Sequence, residues 1–423
     1  MRQRVVITGL GAVSPCGLDV PTTWDAMVNA RSGLGPLTRF DVTGQACQIA
    51  GEVKGFDDEA LLGPRKVRRL GQFMKYAMVA SDEAMRDAGY DMAHIDGGSG
   101  TGHWPNQDEF GVYIGSGVGG FPELVAGHEQ VLREGMKRMS PFHIPRSLVN
   151  IAAGQVAIRF GARGPSLCVA TACAVGNHAI GEAYRAICYG DAEVIAAGGA
   201  EAGLSPSGFA GFMNMRALSR RNDEPERASR PFDRDRDGFV MSEGSGIVIL
   251  ETLEHALARG ARIYCEIVGY GATTDAFHVT APAPGGAGAA RCMAKAMRDA
   301  GLDAESVDYI NAHGTSTPAN DSAETAAIRK VFGPAADSLV VSSTKGVTGH
   351  LLGAAGGIEA IATAKALQTG IVPPTANLDN ADPECDLDYV PNEARQVNPT
   401  VALSNAFGFG GTNAVLAFKK WEP

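Results

Sequence analysis

The stretch Val6-Ile-Thr-Gly-Leu-Gly-Ala12 returns far downstream as Ile267-Val-Gly-Tyr-Gly-Ala272, each time an apolar run entering Gly-x-Gly-Ala. The echo continues in the same order. Val112-Tyr-Ile-Gly-Ser-Gly117 is matched by Asp308-Tyr-Ile-Asn-Ala-His-Gly314, and Ser166-Leu-Cys-Val-Ala-Thr-Ala-Cys173 by Ser338-Leu-Val-Val-Ser-Ser-Thr-Lys345. Ala196-Ala-Gly-Gly199 is matched by Val401-Ala-Leu-Ser404. Repetition in one order predicts two related halves, residues 1–254 and 255–423, that meet near 252–260. Short apolar runs at 4–9, 110–115, 166–170 and 193–197 alternate with helical spacing at 73–88, 176–189 and 287–300, which defines an α/β fold. The first half is the longer, mainly through 117–151 and 205–238, where partner or dimer contacts are expected.

A chain of 423 residues with 45% hydrophobic and 20% charged residues can bury a large core. No apolar run reaches the roughly 18 residues that a membrane span needs, and the first residues enter a strand without a signal-peptide core, so a cytoplasmic location is expected. Eight cysteines without a Cys-x-x-Cys pair argue against a disulfide framework or zinc knuckle. The net charge of −10 disfavours nucleic acid as a partner. Two local basic clusters, Lys66 with Arg68 and Arg69, and Arg216 with Arg220 and Arg221, are candidate docking points for an acidic carrier protein; a solvated helix face is the equal alternative on charge alone.

In Val169-Ala-Thr-Ala-Cys-Ala-Val-Gly176 a small apolar strand is expected to run straight into a helix, which places Cys173 at the positive end of a helix dipole and favours its thiolate. Downstream lie His313 in Asn311-Ala-His-Gly-Thr-Ser-Thr-Pro318, His350 in Lys345-Gly-Val-Thr-Gly-His350, and Asn405-Ala-Phe-Gly-Phe-Gly-Gly-Thr-Asn413. Duplicated halves face their strand ends towards each other, so one site can collect Cys173 from the first half and His313, His350 and Phe409 from the second. Two other motifs mislead. Gly115-Ser-Gly-Val-Gly-Gly120, with Glu134 as a ribose acid, fits a dinucleotide fingerprint, but Phe121-Pro122 follows where a clean helix start belongs. Asp233-Arg-Asp-Arg-Asp-Gly238 opens like a calcium loop, yet its twelfth position is Gly244, so a salt-bridged loop is expected.

Thr171-Ala-Cys173, Asn311-Ala-His-Gly-Thr-Ser-Thr317, Lys345-x-x-x-Gly-His350 and Gly408-Phe-Gly-Gly-Thr412, in this order and across essentially the whole length, resemble the elongating β-ketoacyl-acyl-carrier-protein synthases of the thiolase-like superfamily. The opening Val5-Val-Ile-Thr-Gly-Leu-Gly-Ala-Val-Ser-Pro15 and Arg230-Pro-Phe-Asp-x-x-Arg-Asp-Gly-Phe239 are most similar to the type II synthases of bacterial fatty-acid synthesis. The resemblance implies a five-layered αβαβα architecture, a homodimer, and a decarboxylative condensation through an acyl-Cys173 intermediate. It implies no required cofactor, with substrates carried on the phosphopantetheine arm of acyl carrier protein. Backbone N–H groups of Cys173 and Phe409 become the expected oxyanion donors, and His313 and His350 the donors to an enolate. Lys345 takes an orienting role. Thr315 and Thr317 are expected to bind the pantetheine arm, Val118 to wall the acyl pocket, and Phe407 to touch substrate beside the gating Phe409. Glu359 is expected to anchor Lys345, or to hold a monovalent cation with Asn311, Ser404 and Asn405. A ketosynthase of a polyketide or specialised lipid pathway is the alternative. A non-catalytic chain-length-factor-like partner subunit is disfavoured by the presence of Cys173.

Overall fold

In the computed structural model, which describes residues 2–95 and 100–422, ten strands form one continuous sheet. The outermost ends of the two expected halves, residues 1 and 423, lie outside the described residues. The strands are β1 (Val5–Val13), β2 (Phe110–Gly115), β3 (Ser166–Leu167), β4 (Val194–Glu201), β5 (Gly244–Thr252), β6 (Cys265–Thr274), β7 (Tyr309–Asn311), β8 (Val340–Ser342), β9 (Val401–Gly408) and β10 (Thr412–Lys420). Their spatial order, β8-β7-β9-β10-β6-β1-β5-β4-β2-β3, reads as the same five-strand pattern from either side of the β6/β1 junction. That junction is short. Only Val5, Val6 and Ile7 pair with Ile267, Glu266 and Cys265.

The helices repeat in the same way. α1 (Gln72–Asp87) follows β1 and α4 (Ala287–Ala300) follows β6; α2 (Ile151–Phe160) follows β2 and α5 (Pro318–Phe332) follows β7; α3 (Val175–Tyr189) follows β3 and α6 (Ala355–Thr369) follows β8. α1 and α2 cover the outer face of the first five strands, and α4 and α5 lie outside the second five. α3 and α6 are sandwiched between the two, which produces the five layers. Burial tracks position: 12 of the 15 residues of α6 are buried, against 7 of the 14 in α4. A helix with a sheet on each side must be apolar nearly all round, whereas an outer helix needs only one apolar stripe.

The glycines of the opening echo have a steric cause. A Cβ on Gly9 would lie 2.2 Å from Ala84 O, and one on Gly269 2.6 Å from Ala296 O. Gly11 and Gly271 are pressed in the same way by Ala80 O at 1.9 Å and Cys292 O at 2.3 Å. Each half therefore lays its first helix directly on strand backbone, and only glycine leaves the room.

Candidate active site

β3 ends at Leu167, and a single 3-10 turn, Ala172–Ala174, opens α3. The expected strand over 166–170 is thus corrected to two residues, both exposed, because the chain leaves the sheet edge early. Ala172 takes φ 49°, a left-handed conformation that costs a non-glycine residue about 1–3 kcal/mol. This strained corner delivers Cys173 to a cavity of about 390 Å³ that is also lined by His313, His350, Phe407, Phe409, Thr315 and Thr317. The counterpart corner, Leu352–Ala354, opens α6 with Leu352 at φ 50°. The sequence echo had aligned Cys173 with Lys345. The fold instead aligns it with Gly353, because a short helix, Lys345–Thr348, lengthens the second connection.

Cys173 is 8% exposed and packs with Leu204, Phe209, Met241 and Leu352. Burial pushes its thiol up to about 12, helped by the charge of Glu201; Lys345 and the backbone N–H groups of Phe409 and Cys173 pull the other way. Burial thus works against the preference for thiolate that the helix end gives. The helix end does not offset the loss of water around the sulfur. Two backbone amides, those of Phe409 and Cys173, thus lie within hydrogen-bonding reach of the sulfur.

His313 follows β7, and His350 is fixed by backbone bonds on both sides: its N–H donates to Val240 O at 2.8 Å, and Ser242 N–H donates to its carbonyl at 2.9 Å. The two rings meet edge to face with centroids 5.4 Å apart; Phe239 lies against His350 at 5.3 Å and Phe407 against His313 at 5.6 Å. Burial, and then the positive charge of Lys345, hold both imidazoles well below the usual histidine range, with His350 adding to the effect on His313. Both rings are neutral near pH 7. Each keeps one N–H to donate, and each Nδ1 lacks a protein partner among the described residues.

Beneath the rings, Lys345 donates to His313 O at 2.7 Å and pairs with Glu359, all inside the protein. Glu324, which the sequence reading passed over, accepts from His313 N–H at 2.9 Å, Gly314 N–H at 2.8 Å and Asn405 Nδ2 at 3.0 Å. Burial raises its carboxyl to about 7 against these donors. A signal existed in the sequence: Asp321, Glu324, Thr325 and Ile328 share the buried face of α5, and acids on such a stripe must meet polar partners. Asn311, Ser404 and Asn405 are also buried; Asn311 Oδ1, Ser404 Oγ, Asn405 Oδ1 and Glu359 Oε2 have no protein partner among the described residues. Four buried oxygens without a hydrogen-bond partner among the described residues are a donor set that suits a hard monovalent cation.

The remaining expected residues divide by location. Thr315 and Thr317 share a hydroxyl contact of 2.9 Å, and Thr317 also caps α5. Phe409 is held on a loop in which Thr412 Oγ1 donates to Thr171 O at 3.1 Å. Arg216, exposed and at φ 56°, lines the cavity. Lys66, Arg68, Arg69 and Arg220 are exposed away from that lining; Arg221 is half-buried beside Glu224. Val118 does not line the cavity either. Its N–H and that of Gly117 both donate to Glu201, so the amides that a dinucleotide loop would aim at phosphate are already occupied. Asp233 accepts from Arg230 and from the N–H groups of Asp235, Asp379 and Asn380, which makes the calcium-like segment the salt-bridged loop that was expected.

A strained cysteine turn and two neutral histidines, on facing ends of a duplicated α/β fold, define a condensing enzyme of thiolase-like architecture. Residues 2–256 match the β-ketoacyl synthase N-terminal domain and residues 264–379 its C-terminal domain, and the chain belongs to the β-ketoacyl synthase family. It is 52% identical to the 3-oxoacyl-[acyl-carrier-protein] synthase 2 of Synechocystis sp., over 100% of this chain and 99% of that one. Among solved structures, the ishigamide ketosynthase/chain length factor superposes with a TM-score of 0.91 at 35% identity, covering 100% of both chains. A type II polyketide ketosynthase, AntDE, solved with its acyl-carrier protein AntF and a bound hexaketide, gives 0.88 at 35% identity with the same coverage.

Proposed function

We propose that this chain is an elongating 3-oxoacyl-acyl-carrier-protein synthase that condenses carrier-borne acyl and malonyl groups in fatty-acid synthesis. The observation that carries it is the convergence of Cys173, His313, His350 and Phe409 on one cavity. In the first half-reaction Cys173 sulfur bonds to the acyl carbonyl carbon, the carrier thioester bond breaks, and the thiol proton leaves with the carrier's pantetheine thiol. Amides of Cys173 and Phe409 hold the tetrahedral oxyanion; one such donor is typically worth about 3 kcal/mol. In the second, the malonyl carboxylate leaves as CO2 and its electron pair passes onto the thioester carbonyl as an enolate. Neutral His313 and His350 each donate an N–H to that oxygen. The enolate carbon attacks acyl-Cys173, a carbon–carbon bond forms, and the cysteine sulfur leaves as a thiolate that takes a proton from solvent to restore the thiol.

Around this centre, Lys345 positions the His313 backbone, Thr315 and Thr317 bind the pantetheine amides, Phe407 touches substrate, Phe409 gates the acyl pocket and Val118 forms part of its wall. Asn311, Glu359, Ser404 and Asn405 hold a structural monovalent cation, supported by their unpartnered oxygens. Acyl carrier protein docks on the basic residues Lys66, Arg68, Arg69, Arg216, Arg220 and Arg221. The halves divide at 254/255, within the short helix Leu253–Ala258. A homodimer joins β3 edges; β3 ends the sheet, and Ile158 of α2, the helix packed on β3, lies 76% exposed. No helix among the described residues is long and apolar enough to cross a membrane. All eight cysteines are free thiols, which fits the expected cytoplasmic setting.

The second reading, a polyketide or specialised-lipid ketosynthase, draws on the structural neighbours named above. Intact-mass measurement after incubation with acyl-carrier proteins, followed by malonyl-carrier protein, separates the two by which acyl groups add to Cys173. No mass added with any acyl carrier sinks the proposal.

A further inference from the structure

Glu201 ends β4 with no solvent exposure, and its carboxylate has four donors. Oε1 accepts from Ser116 Oγ at 2.8 Å and Val118 N–H at 3.2 Å; Oε2 accepts from Gly117 N–H at 2.8 Å and Gly353 N–H at 3.0 Å. Three of these belong to the turn after β2. The fourth belongs to the strained corner of the other half, three residues beyond His350. A buried carboxylate is costly unless its lone pairs are filled, so this arrangement fixes the two turns relative to each other. Val118 and Leu352, which these turns carry, come together near Met241: a Cβ on Gly203 would lie 3.0 Å from Met241 Cε, 3.4 Å from Val118 Cγ2 and 3.7 Å from Leu352 Cδ1. Met241 and Leu352 belong to the apolar cluster that contains Cys173.

We propose that Glu201 is a positioning residue for acyl transfer: by clipping the 116–118 turn of one half to Gly353 of the other, it fixes Val118, Met241 and Leu352 as a single wall beside Cys173, and so helps set which acyl chains the thiol receives. This rests on the condensing function proposed above. Glutamine at 201 fills the same volume but turns one acceptor into a donor. Each oxygen accepts at least one backbone N–H, so either orientation of the amide sets N–H against N–H.

The test compares rates of acyl addition to Cys173, by intact mass, for a carrier protein bearing a short and a long saturated chain. In Glu201→Gln the long-to-short rate ratio shifts by about five-fold or more, and the shift in Glu201→Gln/Val118→Ala is less than the product of the single shifts. A residue that only supports the fold slows both chains by one factor. An unchanged ratio in folded Glu201→Gln, or shifts that simply multiply, overturns the proposal. If Glu201→Gln fails to fold, Ser116→Ala carries the test. It keeps the carboxylate and removes one donor, the ratio moves by about two-fold, and an unchanged ratio is again fatal. A wild-type protein that takes no acyl group overturns the function itself, which is a separate result from a clip that does not matter.

Discussion

The two halves present equivalent strand-end sites, and one is the proposed reaction centre while the other is filled. At the first, β7 and β9 of the second half end beside His313 and Phe409 and face the corner that bears Cys173. At the second, β2 ends just before Ser116 and β4 ends at Glu201, and both face the corner that bears Gly353. The backbones correspond down to the left-handed residue at each corner, Ala172 and Leu352. What differs is the filling. In the first site the backbone amides near Cys173 have only a weakly polar sulfur to serve; in the second they are saturated by a carboxylate. On the proposed function duplication supplies two amide-lined corners, one for an oxyanion and one closed by a buried acid.

The largest effect that tests this contrast is Cys173→Ala, which removes acyl-enzyme formation to background, a loss of about four orders of magnitude or more read by intact mass and condensation rate. Lys345→Ala leaves Glu359 buried without its cation and destabilises the fold by about 3–5 kcal/mol in denaturant melts. Adding Glu359→Gln recovers part of that loss. The mirror substitution Gly353→Ala acts on stability before chemistry: its Cβ would lie 2.5 Å from Gly117 N and 2.7 Å from Glu201 Oε2, for a cost of about 2–4 kcal/mol by the same melts.

Two smaller effects sharpen the electrostatics. Cys173 with its thiol raised to about 12 gains thiolate steadily with alkalinity, so its alkylation by iodoacetamide climbs roughly ten-fold per pH unit from 7 to 10 with no plateau. A plateau near neutral pH would show that the helix end outweighs burial after all. Reversing Lys66, Arg68 and Arg69 to glutamate raises KM for carrier-borne substrates about ten-fold and leaves kcat and a short pantetheine thioester unaffected. Equal loss on both substrates removes that surface as a dock.

The glycine echo was legible because helix-on-strand contact admits no Cβ at Gly9, Gly11, Gly269 or Gly271, and this steric demand is written directly in the chain. The motifs around Cys173, His313 and His350 were legible because tight turns and hydroxyl-lined loops require small and polar residues in fixed order. The partners of those motifs were less so. Glu324 and Glu201 lie within ordinary helix and strand segments, and their roles come from donors that are distant in sequence, such as Asn405 for one and Gly353 for the other. The burial that opposes the helix end at Cys173 was not legible, because the apolar cluster around it gathers Leu204, Phe209, Met241 and Leu352 from distant parts of the chain.

The sequence by itself determined the duplicated α/β order and the motifs that carry Cys173, His313 and His350, since period, glycine placement and motif order are local properties of a chain. Only the tertiary structure decided that burial raises the Cys173 thiol, that it holds both imidazoles below their usual range, and that one of two equivalent strand-end sites is closed by Glu201. Each of these depends on how much water is excluded and which donors converge, and both are set by residues that meet only once the halves have packed.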